Sequence, residues 1–461
     1  MQNYLIKDIA IVNEGSIVHG DVLIVNGRIE KTGPGISHAS AKEINGSGKY
    51  LLPGAIDDQV HFREPGLTHK ATIHTESMAA VAGGVTSFME MPNTMPPVFT
   101  QELLEEKYAI AARSSVANYS FYMGTSNENA GEALKTNQKK QDVCGIKVFM
   151  GSSTGGLLVD NYLTLNKLFA ESELLIATHC EDERIIKKNY EQLKQQKPLL
   201  EPADHPIIRN EEGCFESSFA AVQLAKKHDA RLHILHITTE KELQLFSNMR
   251  PLKDKRITAE VCVHHLHYTS DDYANLGYGI KCNPAIKAPH NREALWKALL
   301  DDRLDVIATD HAPHTMEEKG LMRIDGRLSF STGPEQVTYE KAHAGLPLVQ
   351  HPLLLMLYYV KKGMIPIEKV AEKMSHAVAD CFRVAERGYI REGYWADLVM
   401  VDMNNSSSVQ HDKLFYKCGW SPLEGFTFPA TIEKTFVNGR LVYENGAVNE
   451  SMVGMRMKFE R

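Results

Sequence analysis

The chain lacks most of what would send it across or into a membrane. No apolar run approaches the roughly 18 residues needed to span a bilayer. Its first residues, MQNYLIKDIAIV, show no basic patch followed by an apolar stretch and a cleavage site. The seven cysteines are odd in number, scattered from Cys144 to Cys418, and never spaced as CxxC. Neither a disulfide framework nor a cysteine-zinc knuckle is therefore indicated, and buried free thiols are expected. Positive charge is short as well: 51 Lys and Arg against 58 Asp and Glu give a formal charge of -7 and a pI near 6.3. Such a surface offers no basic field to nucleic acid or anionic lipid. A cytoplasmic protein acting on small molecules or other proteins is the expectation.

At 461 residues, 43% hydrophobic and 24% charged, the composition is that of a soluble globular protein too long for one ordinary core. Residues 1 to 50 read as short strands (IKDIAIV, SIVHGDVLIV, RIEKTG) with an Asn26-Gly27 hairpin signal. From Leu51 onward, strand-length apolar runs alternate with helical patterns. The runs are LLPGAIDDQVHF, GVTSFMEM (84 to 91), NYSFYMGT (118 to 125), GIKVFMG (145 to 151), LLIATHC (174 to 180), RLHILHIT (231 to 238), ITAEVCVHHLH (257 to 267) and LDVIATDHAPH (304 to 314). Between them lie helix candidates such as TQELLEEKYAIAARSS and TEKELQLFSNM, the latter with Thr239 and Glu242 at capping-box spacing. Eight strand-helix alternations predict an α/β fold, a (β/α)8 TIM-type barrel with chemistry at the C-terminal ends of its strands. Past residue 388, ADLVMVD, TIEKTFVNG and RLVYENG return to strand texture. The two terminal segments, 1–51 and 389–461, are expected to pair as a small β-sandwich domain beside a barrel of residues 52–388.

The stretch Leu51 to Gly66 organises the rest. On a strand, Asp57, Gln59, His61 and Arg63 share one face while Asp58, Val60 and Phe62 take the other. Elsewhere Lys147 lies in the fourth strand, and His179, His236 and Asp310 end the fifth, sixth and eighth. A lone histidine on an apolar strand is usually a core residue. Three imidazoles and a carboxylate converging from separate strands instead match the ligand types of a zinc site with one position left for water. Lys147 is the outlier: it either pairs with Asp310 or, with a lowered pKa, takes up carbon dioxide as a carbamate able to bridge two metals.

These segments resemble the amidohydrolase superfamily and, within it, the dihydroorotases. The similarity runs through VHFREPG, AAVAGGVTSFMEMPNTMPP, GIKVFMG, ATHCED, LHIT, CNPAIK and IATDHAPHT. It implies zinc-dependent, reversible ring opening of dihydroorotate to N-carbamoyl-L-aspartate in pyrimidine (UMP) biosynthesis. By the same resemblance, Arg63, Asn93, Asn283 and His314 contact substrate, Asp310 is both proton shuttle and metal ligand, and His61, Lys147, His179 and His236 hold one or two Zn2+. The family's first motif is His-x-His, whereas this chain has Gln59-Val60-His61, and an amide oxygen is a weaker zinc ligand than imidazole. The position of His61 and Asp310 is expected to be partly filled or empty. Another cyclic amidohydrolase (dihydropyrimidinase or allantoinase type) and a non-catalytic barrel partnering aspartate carbamoyltransferase are the rival readings. A homo-oligomer, such as a dimer, is expected, and Met316 to Gln336 is either a lid or a plain surface loop.

Overall fold

A computed structural model describes residues 1–151, 155–329 and 337–461. Eight parallel strands form the barrel: β1 (Ala55–Val60), β2 (Val85–Glu90), β3 (Asn118–Phe121, resumed at Met123–Gly124), β4 (Ile146–Phe149), β5 (Ile176–His179), β6 (Leu232–Ile234), β7 (Ile257–Cys262) and β8 (Val306–Ala308). Neighbours pair in parallel within two runs, β1 to β3 and Met123–Gly124 to β8. Tyr122 N–H to Glu90 O joins the runs on one side. On the other, Val60 bridges to His311 and His61 N–H donates to His311 O at 2.7 Å, which closes the ring. Nearly every barrel-strand residue is buried, as a sheet covered by helices outside and packed side chains inside requires.

The helices follow their sequence signals unevenly. Over Gln101–Ser114, the Thr100 hydroxyl accepts from Leu103 N–H, and Leu104, Lys107, Tyr108 and Ala111 form the buried stripe at helical spacing. The segment after Thr239 departs from expectation: Thr239 and Glu242 cap one another, yet only a 3-10 turn, Lys241–Leu245, follows. The local cap formed without enough apolar periodicity behind it to propagate a helix. Two expected strands are also shorter than their apolar runs. ITAEVCVHHLH stops being strand at Cys262 and turns helical over Val263–His267, and LDVIATDHAPH is strand only over Val306–Ala308.

The expected β unit of the two termini is one hydrogen-bonded sheet of nine strands. Tyr4–Asn13 pairs with Ser16–Val25, Lys42–Asn45 and Tyr50–Pro53; the last pairs antiparallel with Leu398–Asp402, Leu51 opposite Met400. Three Asn-Gly turns close hairpins here, at 26–27, 438–439 and 445–446, all six residues with positive φ. The first two touch: a Cβ on Gly439 would lie 2.4 Å from Gly27 Cα, so each of them needs the other's glycine. Beyond Val448 the chain leaves this sheet and lies on the barrel, where Arg456 pairs with Glu105 and Arg461 donates to the carbonyls of Val143, Cys144 and Phe382. Among the described residues no helix is long and apolar enough to cross a membrane.

Candidate active site and metal centre

A cleft of about 730 Å³ opens at the C-terminal ends of the barrel strands, and every candidate metal ligand and substrate contact lines it: Gln59, His61, Arg63, Asn93, Lys147, His179, His236, Asn283, Asp310 and His314. A larger hollow of about 900 Å³, bordered by segments 405–415 and 431–433, brings no comparable set of donors together. The strand-end placement needs one refinement. His179 is the last residue of β5, but His61 lies just past β1, and His236 and Asp310 lie two residues past β6 and β8. Arg63, His236 and Asp310 have φ of 69°, 41° and 47°, left-handed conformations that non-glycine residues seldom adopt. Three functional candidates thus sit on strained backbone, held by the surrounding structure.

The holding groups can be named. Asp57, expected to face the cleft, accepts instead from Thr309 Oγ1 (2.6 Å) and Thr309 N–H (3.2 Å), fixing the residue before Asp310. Glu260 accepts from the N–H of His236 at 2.9 Å. The Arg63 loop rests on the Asn93 loop at Gly66 (φ 83°), where a Cβ would come within 2.0 Å of Met95 O. Only glycine permits that approach, so it sets the spacing between the two candidate substrate contacts.

On one side of the cleft, His179 Nδ1 faces His236 Nε2 at 2.9 Å. The other nitrogen of His179 donates to Glu181 (3.0 Å), which is paired with Arg209 at 2.6 Å. Burial pushes the Glu181 carboxyl up, but Arg209 and His179 outweigh it and bring it down to about 2. His179 therefore presents the lone pair of Nδ1 inward. Burial also holds His236 well below the usual imidazole range, so its ring is neutral. Beside them Lys147 is 1% exposed, its Nζ has no hydrogen-bond partner and lies 4.5 Å from the Phe149 ring centre, and burial lowers its pKa to about 7. The ion pair with Asp310 that would have explained this lysine does not form among the described residues.

Across the cleft, His61 is held between Asn93 Oδ1 (Nδ1, 2.7 Å) and Asp310 Oδ1 (Nε2, 3.1 Å). Gln59 Nε2 donates to the same Asp310 Oδ1 at 3.1 Å, while Gln59 Oε1 is buried without a partner. Asn93, expected to contact substrate, thus commits its carbonyl oxygen to His61. Asn283 accepts from His205 at 3.1 Å.

The remaining wall is cationic. Arg63 Nε donates to Pro313 O (3.1 Å), and its NH2 lies 3.2 Å from His314 Nε2. Among the described residues it makes no ion pair, and burial lowers its pKa only to about 10, so it stays charged. Lys70 Nζ lies 3.1 Å from His314 Nδ1 and 3.0 Å from Glu318. Two buried cations against one carboxylate leave a net positive corner suited to an anion. The described part of the expected lid, 316–329, is a short helix and a hairpin, tied down by buried Lys319, whose Nζ donates to Lys281 O and His343 O. Residues 330–336 of that stretch lie outside the described residues.

Sequence reasoning missed Lys70, Glu181 and Arg209. Glu181 stood in the quoted ATHCED motif, two residues past His179, while nothing local marks Lys70 or Arg209. It also missed a cluster within the barrel: His233 Nε2 lies 3.1 Å from Asp58 and 3.8 Å from Glu260, all fully buried.

The donor set fits a divalent metal. Imidazole nitrogens converge, the buried Lys147 amine has no hydrogen-bond partner among the described residues, and a carboxylate stands opposite. The carboxylate-histidine pair of Glu181 and His179 is the usual support for such a ligand.

Comparison with known proteins agrees. The amidohydrolase family model matches residues 50–442. The dihydroorotase of Methanothermobacter thermautotrophicus is 31% identical over 445 residues, covering 95% of this chain and 91% of that protein. The dihydroorotase of Pyrococcus abyssi is 31% identical over 444 residues, covering 94% and 93%. Among solved structures, the L-hydantoinase (dihydropyrimidinase) of Arthrobacter aurescens superposes with a TM-score of 0.90 at 24% identity, covering 99% of this chain and 100% of that one. That likeness shows the barrel fold, and the closer sequence kinship lies elsewhere. The chain belongs to the amidohydrolase family, on its dihydroorotase branch.

Proposed function

We propose that this protein is a zinc-dependent dihydroorotase that interconverts dihydroorotate and N-carbamoyl-L-aspartate in pyrimidine biosynthesis. One observation carries the reading: the donor set and the Arg63–Lys70–His314 corner share one cleft. A cyclic amide carrying a ring carboxylate needs both. Dihydropyrimidine and allantoin rings lack that carboxylate, which makes the hydantoinase-type activity the lesser reading. Retention of Lys147, His179, His236 and Asp310 likewise argues against a non-catalytic partner of aspartate carbamoyltransferase.

In this reading the substrate carboxylate lies against the Arg63 guanidinium and His314, with bidentate charge-assisted bonds available from arginine. Asn93 and Asn283 flank the ring. Asp310 receives the proton of the attacking water and returns it to the ring nitrogen as the amide bond breaks, a general base turned general acid. Its Oδ1 is engaged by Gln59 and His61, so Oδ2 handles the proton. Lys147, lowered to about 7 by burial, has a large neutral fraction near neutrality. Its amine nitrogen adds to carbon dioxide and loses one proton, giving an anionic carbamate. Lys147, His179 and His236 on one side, and His61 and Asp310 on the other, are the residues that would hold one or two zinc ions, which would supply polarisation of the amide carbonyl and a lowered pKa for water.

The division into a barrel of residues 52–388 and a composite β domain of 1–51 with 389–461 belongs to the same proposal. So do a cytoplasmic site of action and a homo-oligomeric assembly. Assay of the purified protein with dihydroorotate and dihydrouracil, before and after chelation, tests the activity. Turnover of dihydroorotate that chelation abolishes is expected; turnover of dihydrouracil alone would transfer the chain to the hydantoinase-type reading.

A further inference from the structure

We propose that Gln59 makes this a one-metal centre: its side-chain N–H occupies Asp310 Oδ1 where a second cation would bind, so a single divalent ion sits with Lys147, His179 and His236. The inference rests on the metal reading of the cleft and not on the identity of the substrate.

The geometry around Asp310 Oδ1 is the starting point. A carboxylate oxygen carries two in-plane lone pairs, and here a protein nitrogen lies 3.1 Å from this oxygen in each of two contacts, Gln59 Nε2 and His61 Nε2. Gln59 donates to one of these positions; His61, whose proton on Nδ1 goes to Asn93 Oδ1 at 2.7 Å, turns a bare Nε2 toward the other. An ion bound between His61 and Asp310 would need one of those lone pairs and would sit about 2 Å from each atom. The amide nitrogen of Gln59 has no lone pair to offer it, and its hydrogens repel a cation.

Gln59 is 2% exposed, so water cannot compensate if the amide turns away. Turning Oε1 inward would supply a weak neutral ligand at the expense of the bond to Asp310. The other side of the cleft is built the opposite way. His179 is locked by Glu181 with its free lone pair inward, His236 Nε2 meets it at 2.9 Å, and Lys147 Nζ has no hydrogen-bond partner among the described residues.

The test is metal stoichiometry of the full chain, loaded with Zn2+ and with Mn2+ and dialysed. One tight equivalent is expected in the native protein and two in Gln59→His. Electron paramagnetic resonance of the Mn2+ form is expected to show an isolated ion in the native chain. Anomalous diffraction at the zinc edge should give one peak, next to His179 and His236, and does not depend on the variant folding. Two equally tight equivalents, a spin-coupled Mn2+ pair, or a lone peak between His61 and Asp310 in the native chain would each overturn the proposal. No bound metal in either protein would overturn it together with the metal reading. One equivalent without dihydroorotate turnover would uphold it and dismiss the activity instead.

Discussion

Lys70 and His314 are locked in a fixed donor-acceptor relationship: the ammonium approaches Nδ1 at 3.1 Å and can only donate. Arg63 NH2 approaches the other nitrogen, Nε2, at 3.2 Å, with Ala344 O 3.1 Å from Nε2 and Glu318 3.4 Å from Nδ1, so the two cations hold the ring from opposite nitrogens. Lys70 is thus a positioning residue for the candidate carboxylate contact.

Replacing Lys70 by Met releases the ring at Nδ1 and removes one cation from the corner. Loss of a charged hydrogen bond is worth about 1.5 to 3 kcal/mol, or roughly tenfold to a hundredfold in kcat/KM for dihydroorotate. The loss should appear mainly in KM and be restored in part by Lys70→Arg. A fall in kcat at unchanged KM would show that Lys70 does not act through binding.

Arg63→Met separates substrate recognition from structure. Removing a charge-assisted pair should depress turnover of dihydroorotate by about 2 to 4 kcal/mol of transition-state binding. A ring without the carboxylate should be far less affected. Equal losses on the two rings, measured side by side, would remove Arg63 from recognition.

Glu181→Gln keeps the shape of the side chain but weakens its hold on His179 and leaves Arg209 without its charge partner. Metal affinity is expected to drop about tenfold to a hundredfold, as for other supporting residues behind a metal ligand. Chelator competition measures it directly, and unchanged affinity would make Glu181 a purely structural residue.

The buried cluster of Asp58, His233 and Glu260 gives a pH dependence of defined sign. Burial opposes the His233 imidazolium, but the two carboxylates outweigh it and raise its pKa to about 9. Its stabilising contribution is fully present below the unfolded value near 6.5 and is lost as the pH rises through 9. Glu260, raised from 4.5 to about 7 by burial and by Asp58, loses its own contribution in the lower window between those two values. The effect is on the order of 3 kcal/mol. Lys147 and Lys281, lowered to about 7 by burial, act with the opposite sign over the same range, so the difference between two proteins carries the test: from pH 6.5 to 9.5 the thermal midpoint of the native protein should fall relative to that of His233→Gln. A difference that stays constant over this range would show that His233 is not protonated.

How much of this could be read beforehand depended on whether the signal was local. The barrel was legible because each buried strand is a short apolar run between helices, and the Asn-Gly turns announced their hairpins without help. The donors were legible because charged residues ending apolar runs are conspicuous. What stayed hidden depends on pairs distant in sequence. Lys70 matters only because the chain brings it beside His314, and Arg209 only because it reaches Glu181. Asp57 showed the limit of strand alternation, since it shares a face with Gln59 and His61 yet is consumed by Thr309. The 3-10 turn after Thr239 showed that a cap predicts where a helix may start, not that one continues.

The interleaved sheet of the two termini also sets an order of events during synthesis. Tyr50–Pro53, with Leu51 and Leu52 buried in the finished protein, can find its antiparallel partner only when Leu398–Asp402 leaves the ribosome. At ordinary elongation rates that delay is on the order of tens of seconds. Throughout it the first sheet presents an unpaired apolar edge, the kind of surface that captures neighbouring chains. The nascent protein is therefore most vulnerable to aggregation while the barrel itself is still being made, and a holding chaperone would act on that edge.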